Sequence, residues 1–159
     1  MSPILGTRHL RWPDEAACAQ SAAALAARPA LAAAVVELHG PLGAGKTTFV
    51  RHLLHALGVE GTVKSPTYTL LEPYEVGRGG AAHPVAHFDF YRFDDPREWE
   101  DAGFRDVFAA SGLKLIEWPH KAAEFLPVPD LRIAIEPQVD ESRDVRLDAH
   151  TARGLELLP

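Results

Sequence analysis

The chain has 159 residues, of which 47% are hydrophobic and 24% charged. This balance is typical of a globular protein, and we expect one domain spanning residues 1–159. The formal net charge of −6 argues against a surface that as a whole attracts nucleic acid or an anionic membrane, and a single cysteine, Cys18, excludes an intrachain disulfide and fits a reducing compartment.

The start of the chain predicts a strand followed by a helix. Residues 7–12 alternate polar and apolar side chains, as a strand with one buried face does. Residues 13–15 (Pro-Asp-Glu) have the character of a helix start, and the Ala-rich residues 16–27 favour a helix that ends before the next proline. This segment lacks the basic region and apolar core of a signal peptide, and residues 30–36 are too few to span a bilayer. We therefore expect a cytoplasmic protein without membrane contact.

Residues 40–48 read Gly-Pro-Leu-Gly-Ala-Gly-Lys-Thr-Thr and fit the phosphate-binding pattern G-x-x-x-x-G-K-[ST]. Glycines allow the backbone to curl so that successive N–H groups point at phosphate oxygens. Lys46 can reach the β- and γ-phosphates, and the Thr47 hydroxyl can hold Mg²⁺. An apolar run at 34–39 predicts a strand before the loop, and helical spacing at 49–57 predicts a helix after it. Together they predict a nucleotide site formed by Leu42, Gly43, Ala44, Gly45, Lys46, Thr47 and Thr48.

The rest of the chain predicts further strands and short helices. Strands are expected at 69–76, 85–89, 113–117, 131–135 and 143–147, with a turn at 77–80 and antiparallel pairing of the last two strands. Short helices are expected at 94–100, 104–109 and 120–125, and a tail at 154–158. Residues 58–68 are rich in Gly, Ser, Thr and Pro, which is typical either of a switch segment ordered by a γ-phosphate or of a plain surface connection.

Two of the expected strands end in an acidic residue, Asp89 and Glu117. In open α/β sheets the carboxyl ends of the strands face the ligand crevice. The two carboxylates would therefore flank one Mg²⁺ beside Thr47 if both strands run parallel to the strand before the loop. Each acid alone could equally be a surface carboxylate, but the phosphate-binding loop favours a site role for both. Phe90 follows Asp89, so the acid–glutamate pair typical of motor ATPases is absent.

Other residues that could bind a metal or take part in catalysis are assigned structural roles. His52 and His55 lie three apart on the helix after the loop, but without a third ligand nearby they are expected at the surface. His87 is expected to be packed or hydrogen-bonded, Cys18 to be a small core residue, and Trp118 to pack against the wall of the site.

Five segments together resemble the TsaE family, also called YjeE, of small bacterial P-loop ATPases. In this chain they are GPLGAGKTTF from Gly40, KSPTYTLLEPY from Lys64, HFDFYR from His87, DPREWEDAGFRDVF from Asp95 and LIEWP from Leu115. The resemblance spans residues 12–137 and implies a three-layer α/β fold of the P-loop NTPase type, with a mixed central sheet flanked by helices. Trp99 and Phe90 stand where aliphatic residues are usual, which puts no chemistry in doubt.

The resemblance implies an ATPase that uses ATP and Mg²⁺, is weak alone and works with the proteins TsaD and TsaB. Their complex forms threonylcarbamoyladenosine at position 37 of tRNA, and ATP turnover resets it between rounds. The protein would reach tRNA only through the complex and would be a monomer when alone. By motif, Lys46 and the loop amides would bind phosphates. Thr47 and Glu117 would ligate Mg²⁺. Asp89 would contact groups bound to the metal without ligating the metal itself, or would orient a water.

The same resemblance implies roles for two residues outside the loop. Thr67 would be the switch residue near the γ-phosphate. Glu15, at the start of the first helix, would lie near the adenine.

Three other functions also use a phosphate-binding loop. A small-molecule kinase would need an acceptor site and an Arg-bearing lid, and the sequence has no Arg-rich lid segment. A GTP-dependent switch normally selects guanine with an Asn-Lys-x-Asp motif, which this chain cannot contain because it has no asparagine. A module that binds nucleotide only to dock on partners has the same sequence signature as a slow ATPase, so this alternative stays open.

Overall fold

The computed structural model describes residues 2–66, 68–78 and 81–159, which form seven strands and five α-helices. The strands are β1 (Gly6–Trp12), β2 (Val35–His39), β3 (Leu71–Arg78), β4 (Ala81–Asp89), β5 (Leu113–Glu117), β6 (Leu131–Pro137) and β7 (Arg143–Ala149). The helices are α1 (Glu15–Ala26), α2 (Lys46–Ala56), α3 (Arg97–Asp101), α4 (Phe104–Ala109) and α5 (Ala152–Leu155). Thr67, the expected switch residue, lies outside the described residues.

The seven strands lie in one sheet, in the order β1-β7-β6-β2-β5-β4-β3. β2 runs parallel to β5 and β6, and β4 runs parallel to β5, whereas the pairs β1–β7, β6–β7 and β3–β4 are antiparallel. The sheet is therefore mixed, which confirms the predicted fold class. The parallel centre places the carboxyl ends of β2, β4 and β5 at the same end of the sheet, where Asp89 pairs in register with Glu117.

Helices cover both faces of the sheet, around two hydrophobic cores. On one face α1 and α2 pack against the central strands, and Trp12 stacks on Phe49 with ring centroids 5.5 Å apart. On the other face α3 and α4 enclose an aromatic core in which Phe88 and Phe90 stack 5.6 Å apart. Phe90 and Trp99 are both buried there, so aromatic packing accommodates the two positions that are usually aliphatic. None of the described helices is long and apolar enough to cross a membrane.

Two expected elements differ in the middle of the chain. β3 continues through Arg78, so Gly77 and Arg78 belong to a strand rather than to the expected turn, whose last two residues lie outside the described part. The helix expected at 120–125 is wrong, since only a 3₁₀ turn forms, at Pro119–Ala122. A segment this short between prolines gains too few backbone hydrogen bonds to offset the cost of starting an α-helix.

The tail expected at 154–158 is instead a packed end. Thr151 caps α5 by accepting a hydrogen bond from the backbone N–H of Gly154 at 3.0 Å, and Leu157 and Leu158 are buried in the larger hydrophobic core. A Cβ on Gly154 would lie 1.9 Å from the carbonyl oxygen of Asp130, so the close approach of α5 to the sheet requires glycine.

Candidate nucleotide-binding site

The loop between β2 and α2 turns sharply through glycines with positive φ angles, which are 80° at Gly43 and 108° at Gly45. Gly45 is the N-cap residue of α2 and brings no side chain to cap the helix. The first backbone N–H groups of α2 can therefore donate to an anion, and the helix dipole adds positive potential at the same place. The loop has the local geometry of a phosphate-binding site.

Lys46, the first residue of α2, is buried against the loop. Its Nζ donates to the carbonyl oxygens of Gly40 and Pro41, the latter at 3.0 Å. Burial lowers the pKa of the ammonium below its ordinary value, whereas the carboxylates of Glu117 and Asp89 act in the opposite direction. A phosphate bound at the loop would add to the second effect and favour the charged form of Lys46 further.

Glu117, buried at the end of β5, connects α2 to the neighbouring strand. Thr47 Oγ1 lies 2.9 and 3.1 Å from the two carboxylate oxygens of Glu117, and His87 Nε2 lies 2.7 Å from Oε2. His87 on β4 is completely buried, as expected for a packed and hydrogen-bonded histidine. Its Nδ1 has no hydrogen-bond partner among the described residues. The imidazole thus fixes the carboxylate from the strand side, while the threonine hydroxyl meets it from the loop.

Asp89 lies beside Glu117, at the paired positions that end β4 and β5. Its side chain is buried, and Oδ1 accepts a hydrogen bond from the backbone N–H of Tyr91 at 2.9 Å. Because β2, β4 and β5 all run in one direction, the fold brings both acids to the end of the sheet where α2 begins with Lys46 and Thr47. Three oxygen-bearing side chains, spread over 70 residues of sequence, therefore line one site.

A cavity of about 350 Å³ lies between the loop and the ends of β4 and β5. Trp118 forms part of its wall, as expected from the sequence, with its ring centroid 4.0 Å from Lys46 Nζ and 4.9 Å from the ring centroid of Tyr91. The predicted residues that line this cavity are Leu42, Gly43, Ala44, Lys46, Thr47, Asp89 and Glu117. Ser65 also lines it, which brings the segment after α2 to the same cavity.

The other predicted residues lie across the loop, in a cavity of about 490 Å³ beside α1. Glu15, Gly45 and Thr48 line it. Glu15 is largely exposed, and its Oε2 lies 3.3 Å from Nε2 of His52, which is half-buried rather than at the surface. Cys18, in the same wall, is buried, and burial raises the pKa of its thiol to about 11. A nucleoside placed in this second cavity would lie beside Glu15.

Arg143 is a residue of this second cavity that sequence reasoning missed. Its Nε donates to the carbonyl oxygen of Ala44 at 2.9 Å, and Nη1 donates to the carbonyl oxygen of Glu141 at 2.5 Å. Arg143 and Ala44 are 99 residues apart, and no motif surrounds the arginine, so no local pattern could have linked the two.

The oxygen-bearing side chains suit Mg²⁺ rather than a metal enclosed by protein ligands. Among the described residues, no group of three or more His, Cys, Asp and Glu side chains is placed to hold a metal ion. Mg²⁺ does not need such a cage, because one or two carboxylates bind it together with waters and substrate phosphates. The Thr47 hydroxyl and the carboxylates of Glu117 and Asp89 supply oxygens of that kind, so the residues present fit Mg²⁺.

The chain is similar to known proteins of one family. The family model for "Threonylcarbamoyl adenosine biosynthesis protein TsaE" matches residues 12–145. The chain is 43% identical over 126 residues to the tRNA threonylcarbamoyladenosine biosynthesis protein TsaE of Haemophilus influenzae, which covers 79% of this chain and 77% of that protein. It is 36% identical over 146 residues to the protein of the same name from Bacillus subtilis, which covers 89% of this chain and 87% of that protein.

A solved structure shows the same architecture. The crystal structure of Bacillus subtilis YdiB superimposes with a TM-score of 0.76 at 29% sequence identity, and the match covers 98% of this chain and 94% of that one. The family match and the structural match each cover most of the chain. This protein belongs to the TsaE family of threonylcarbamoyladenosine biosynthesis proteins.

Proposed function

We propose that this protein binds ATP with Mg²⁺ and hydrolyses it to ADP and phosphate. The observation that carries the proposal is the series of contacts from Thr47 to Glu117 to His87 at the start of α2, next to Lys46. It sets a hydroxyl and a buried carboxylate, both suited to Mg²⁺, against a phosphate-binding loop. Phosphoryl transfer from a nucleotide depends on this kind of positioning and charge stabilisation.

Each group has its own task in the proposed reaction. The loop N–H groups and Lys46 bind and orient the β- and γ-phosphates. When bound to Thr47 and Glu117, Mg²⁺ supplies positive charge against the charge that develops on the phosphate oxygens. Asp89 orients a water whose oxygen attacks the γ-phosphorus. The bond from that phosphorus to the β–γ bridging oxygen breaks, so ADP keeps the bridging oxygen and phosphate carries the oxygen of the water.

We further propose that this turnover resets a cytoplasmic complex with TsaD and TsaB that forms threonylcarbamoyladenosine on tRNA. Family membership supports this role, and so does the rim of the phosphate cavity. Leu42 is 72% exposed there, and the ring of Tyr68, which is 83% exposed, lies 4.6 Å from the guanidinium of Arg92. Aromatic and arginine side chains are enriched at protein interfaces. The net charge of −6 agrees with contact to tRNA only through the partners.

The first test measures ATP binding by calorimetry with Mg²⁺ present. We expect Lys46→Ala to weaken ATP binding about tenfold or more, because the variant loses a charge-assisted hydrogen bond to phosphate. Lys121→Ala is the matched control, since Lys121 is exposed on the turn after β5 and lies outside both cavities. Equal affinities of the Lys46 variant and this control would contradict the assignment of the loop.

The second test measures phosphate release by the protein alone and with the TsaB–TsaD pair. Glu117→Ala and Asp89→Ala are expected to lose turnover while substantial ATP binding persists, because the loop and Lys46 remain. If both variants hydrolyse ATP normally in the complex, the assignment of the metal site is wrong. If the unaltered protein binds ATP but releases no phosphate with or without its partners, it is a nucleotide-dependent docking module rather than an ATPase.

A further inference from the structure

Arg143, the first residue of β7, reaches from the far half of the sheet to the phosphate-binding loop. Its guanidinium donates to two backbone carbonyl oxygens, that of Ala44 in the loop at 2.9 Å and that of Glu141 in the β6–β7 turn at 2.5 Å. The planar guanidinium presents donors in a fixed fork, so one side chain can fasten both carbonyls at once. Arg143 therefore ties the loop to the β6–β7 hairpin.

The contact fixes one particular peptide group, the one between Ala44 and Gly45. The described residues contain no cis peptide bond, so the carbonyl and the N–H of this peptide point in opposite directions. The carbonyl points to Arg143, which lines the cavity beside α1. The Gly45 N–H consequently points away from Arg143, although Gly45 itself lines the same cavity as Arg143.

This peptide could reverse at little cost without such a contact. A half-turn of the peptide plane changes the ψ angle of Ala44 and the φ angle of Gly45, and glycine tolerates both signs of φ. A Cβ built on Gly45 would meet nothing within 4 Å, so the space beside its Cα is open. In the reversed form the Ala44 carbonyl would face the phosphates, and its negative end would repel them. Binding of an anion therefore requires a group that keeps the Ala44 carbonyl directed away from the phosphates.

We propose that Arg143 is a positioning residue that holds the Ala44–Gly45 peptide in its anion-binding orientation and so sets the affinity of the loop for polyphosphate. The inference rests on the proposed ATP binding and adds a residue from outside the motifs that predicted the site. Arg143 acts through the loop backbone rather than by contact with the nucleotide. Affinity for the phosphate chain should therefore depend on it even when no base or ribose is present.

The test compares the binding of ATP and of inorganic tripolyphosphate to the full chain by calorimetry. Arg143→Gln is expected to weaken both ligands by the same factor, about 10- to 100-fold, the range for loss of a hydrogen bond to a charged group. Arg143→Lys should also weaken both, because an ammonium keeps the charge but lacks the fork. Arg146→Gln is the matched control on the same strand. Arg146 contacts Asp148 at 3.0 Å, lies outside both cavities and should leave both affinities unchanged.

Thermal unfolding without ligand checks that each variant is folded. If Arg143→Gln does not fold, the comparison is made with Arg143→Lys alone. A loss of ATP affinity with unchanged tripolyphosphate affinity would overturn the proposal, because it would place Arg143 on the base or ribose. Unchanged affinity for both ligands, or full affinity in Arg143→Lys, would also overturn it while leaving ATP binding intact. If the unaltered protein bound neither ligand, the proposed function would fail and this inference with it.

Discussion

The cavity beside α1 is lined by Cys18, and the protonation of its thiol depends on burial at that position. Burial raises the pKa of this thiol from 9.0 to about 11, with a further upward effect from Glu15 and an opposing one from Arg143. The folded state therefore holds the proton more tightly than the unfolded chain does. The stability linked to this group is present below about pH 9 and is lost as the pH rises through about 11.

We expect alkylation of Cys18 by iodoacetamide to be slow at pH 8 and to rise with a midpoint near pH 11, because the thiolate is the reactive form. The stability of the unaltered protein relative to Cys18→Ala should fall between pH 9 and 11, as measured by urea unfolding at a series of pH values. A difference that does not change with pH would contradict the burial-induced shift.

Single residues of the site differ in how well the sequence predicts them. Asp89 and Glu117 could be predicted because each ends an apolar strand downstream of a phosphate-binding loop, and parallel strands end on one side of a sheet. The contact of His87 with Glu117 could not, because it depends on the register between β4 and β5. Arg143 was also missed, because its partner is a backbone carbonyl. Every residue has such a carbonyl, so no residue type in the sequence indicates the contact.

At the scale of elements, the phosphate-binding loop rests on β6. A Cβ on Gly40 would lie 2.6 Å from the carbonyl oxygen of Ile135 and 2.9 Å from the Cβ of Ala44, and the φ angle of Gly40 is 151°. The first glycine of the motif is thus required by contact with a neighbouring strand as well as by the turn itself. The loop and β6 can approach this closely only because residue 40 has no Cβ.

Gly40→Ala should therefore weaken ATP binding more than tenfold, because the loop has to move away from β6, and strain of this kind costs about 1–3 kcal/mol of stability. Gly77→Ala is the control, since Gly77 lies within β3 and an added Cβ there would meet nothing within 4 Å. Calorimetry with ATP and thermal unfolding measure the two effects. Normal ATP affinity in Gly40→Ala would show that the loop does not depend on this approach.

The elements that the sequence predicted well are those with a strong local signal. The strand before the loop, the loop itself and α2 follow from apolar spacing and a glycine-rich motif. The α-helix expected at 120–125 was predicted less well, because this segment forms only a short 3₁₀ helix and packs apolar residues against the aromatic core. The C-terminal residues gave no signal, because their packing depends on the approach of Gly154 to Asp130 across the chain.

For the molecule as a whole, Asp130 links the strand that carries the loop to the C-terminal end of the chain. Its Oδ2 accepts a hydrogen bond from the backbone N–H of Val35, at the start of β2, at 2.8 Å. Its Oδ1 accepts from the hydroxyl of Thr151, the cap of α5, at 2.6 Å, and Arg153 lies 3.7 Å away. The carboxylate is buried, so these donors depend on it rather than on water.

Asp130→Ala should lower the free energy of unfolding by about 2–4 kcal/mol, because it leaves a backbone N–H and a hydroxyl without their acceptor, at about 1–3 kcal/mol each. Asp101→Ala, at an exposed position on α3, should change it by about 0.5 kcal/mol or less. Urea unfolding of the two variants gives the comparison. Equal stabilities would mean that the Asp130 carboxylate does not contribute to holding α5 against the start of β2. The expected difference would show instead that one buried carboxylate couples the C-terminal helix to the strand leading into the phosphate-binding loop.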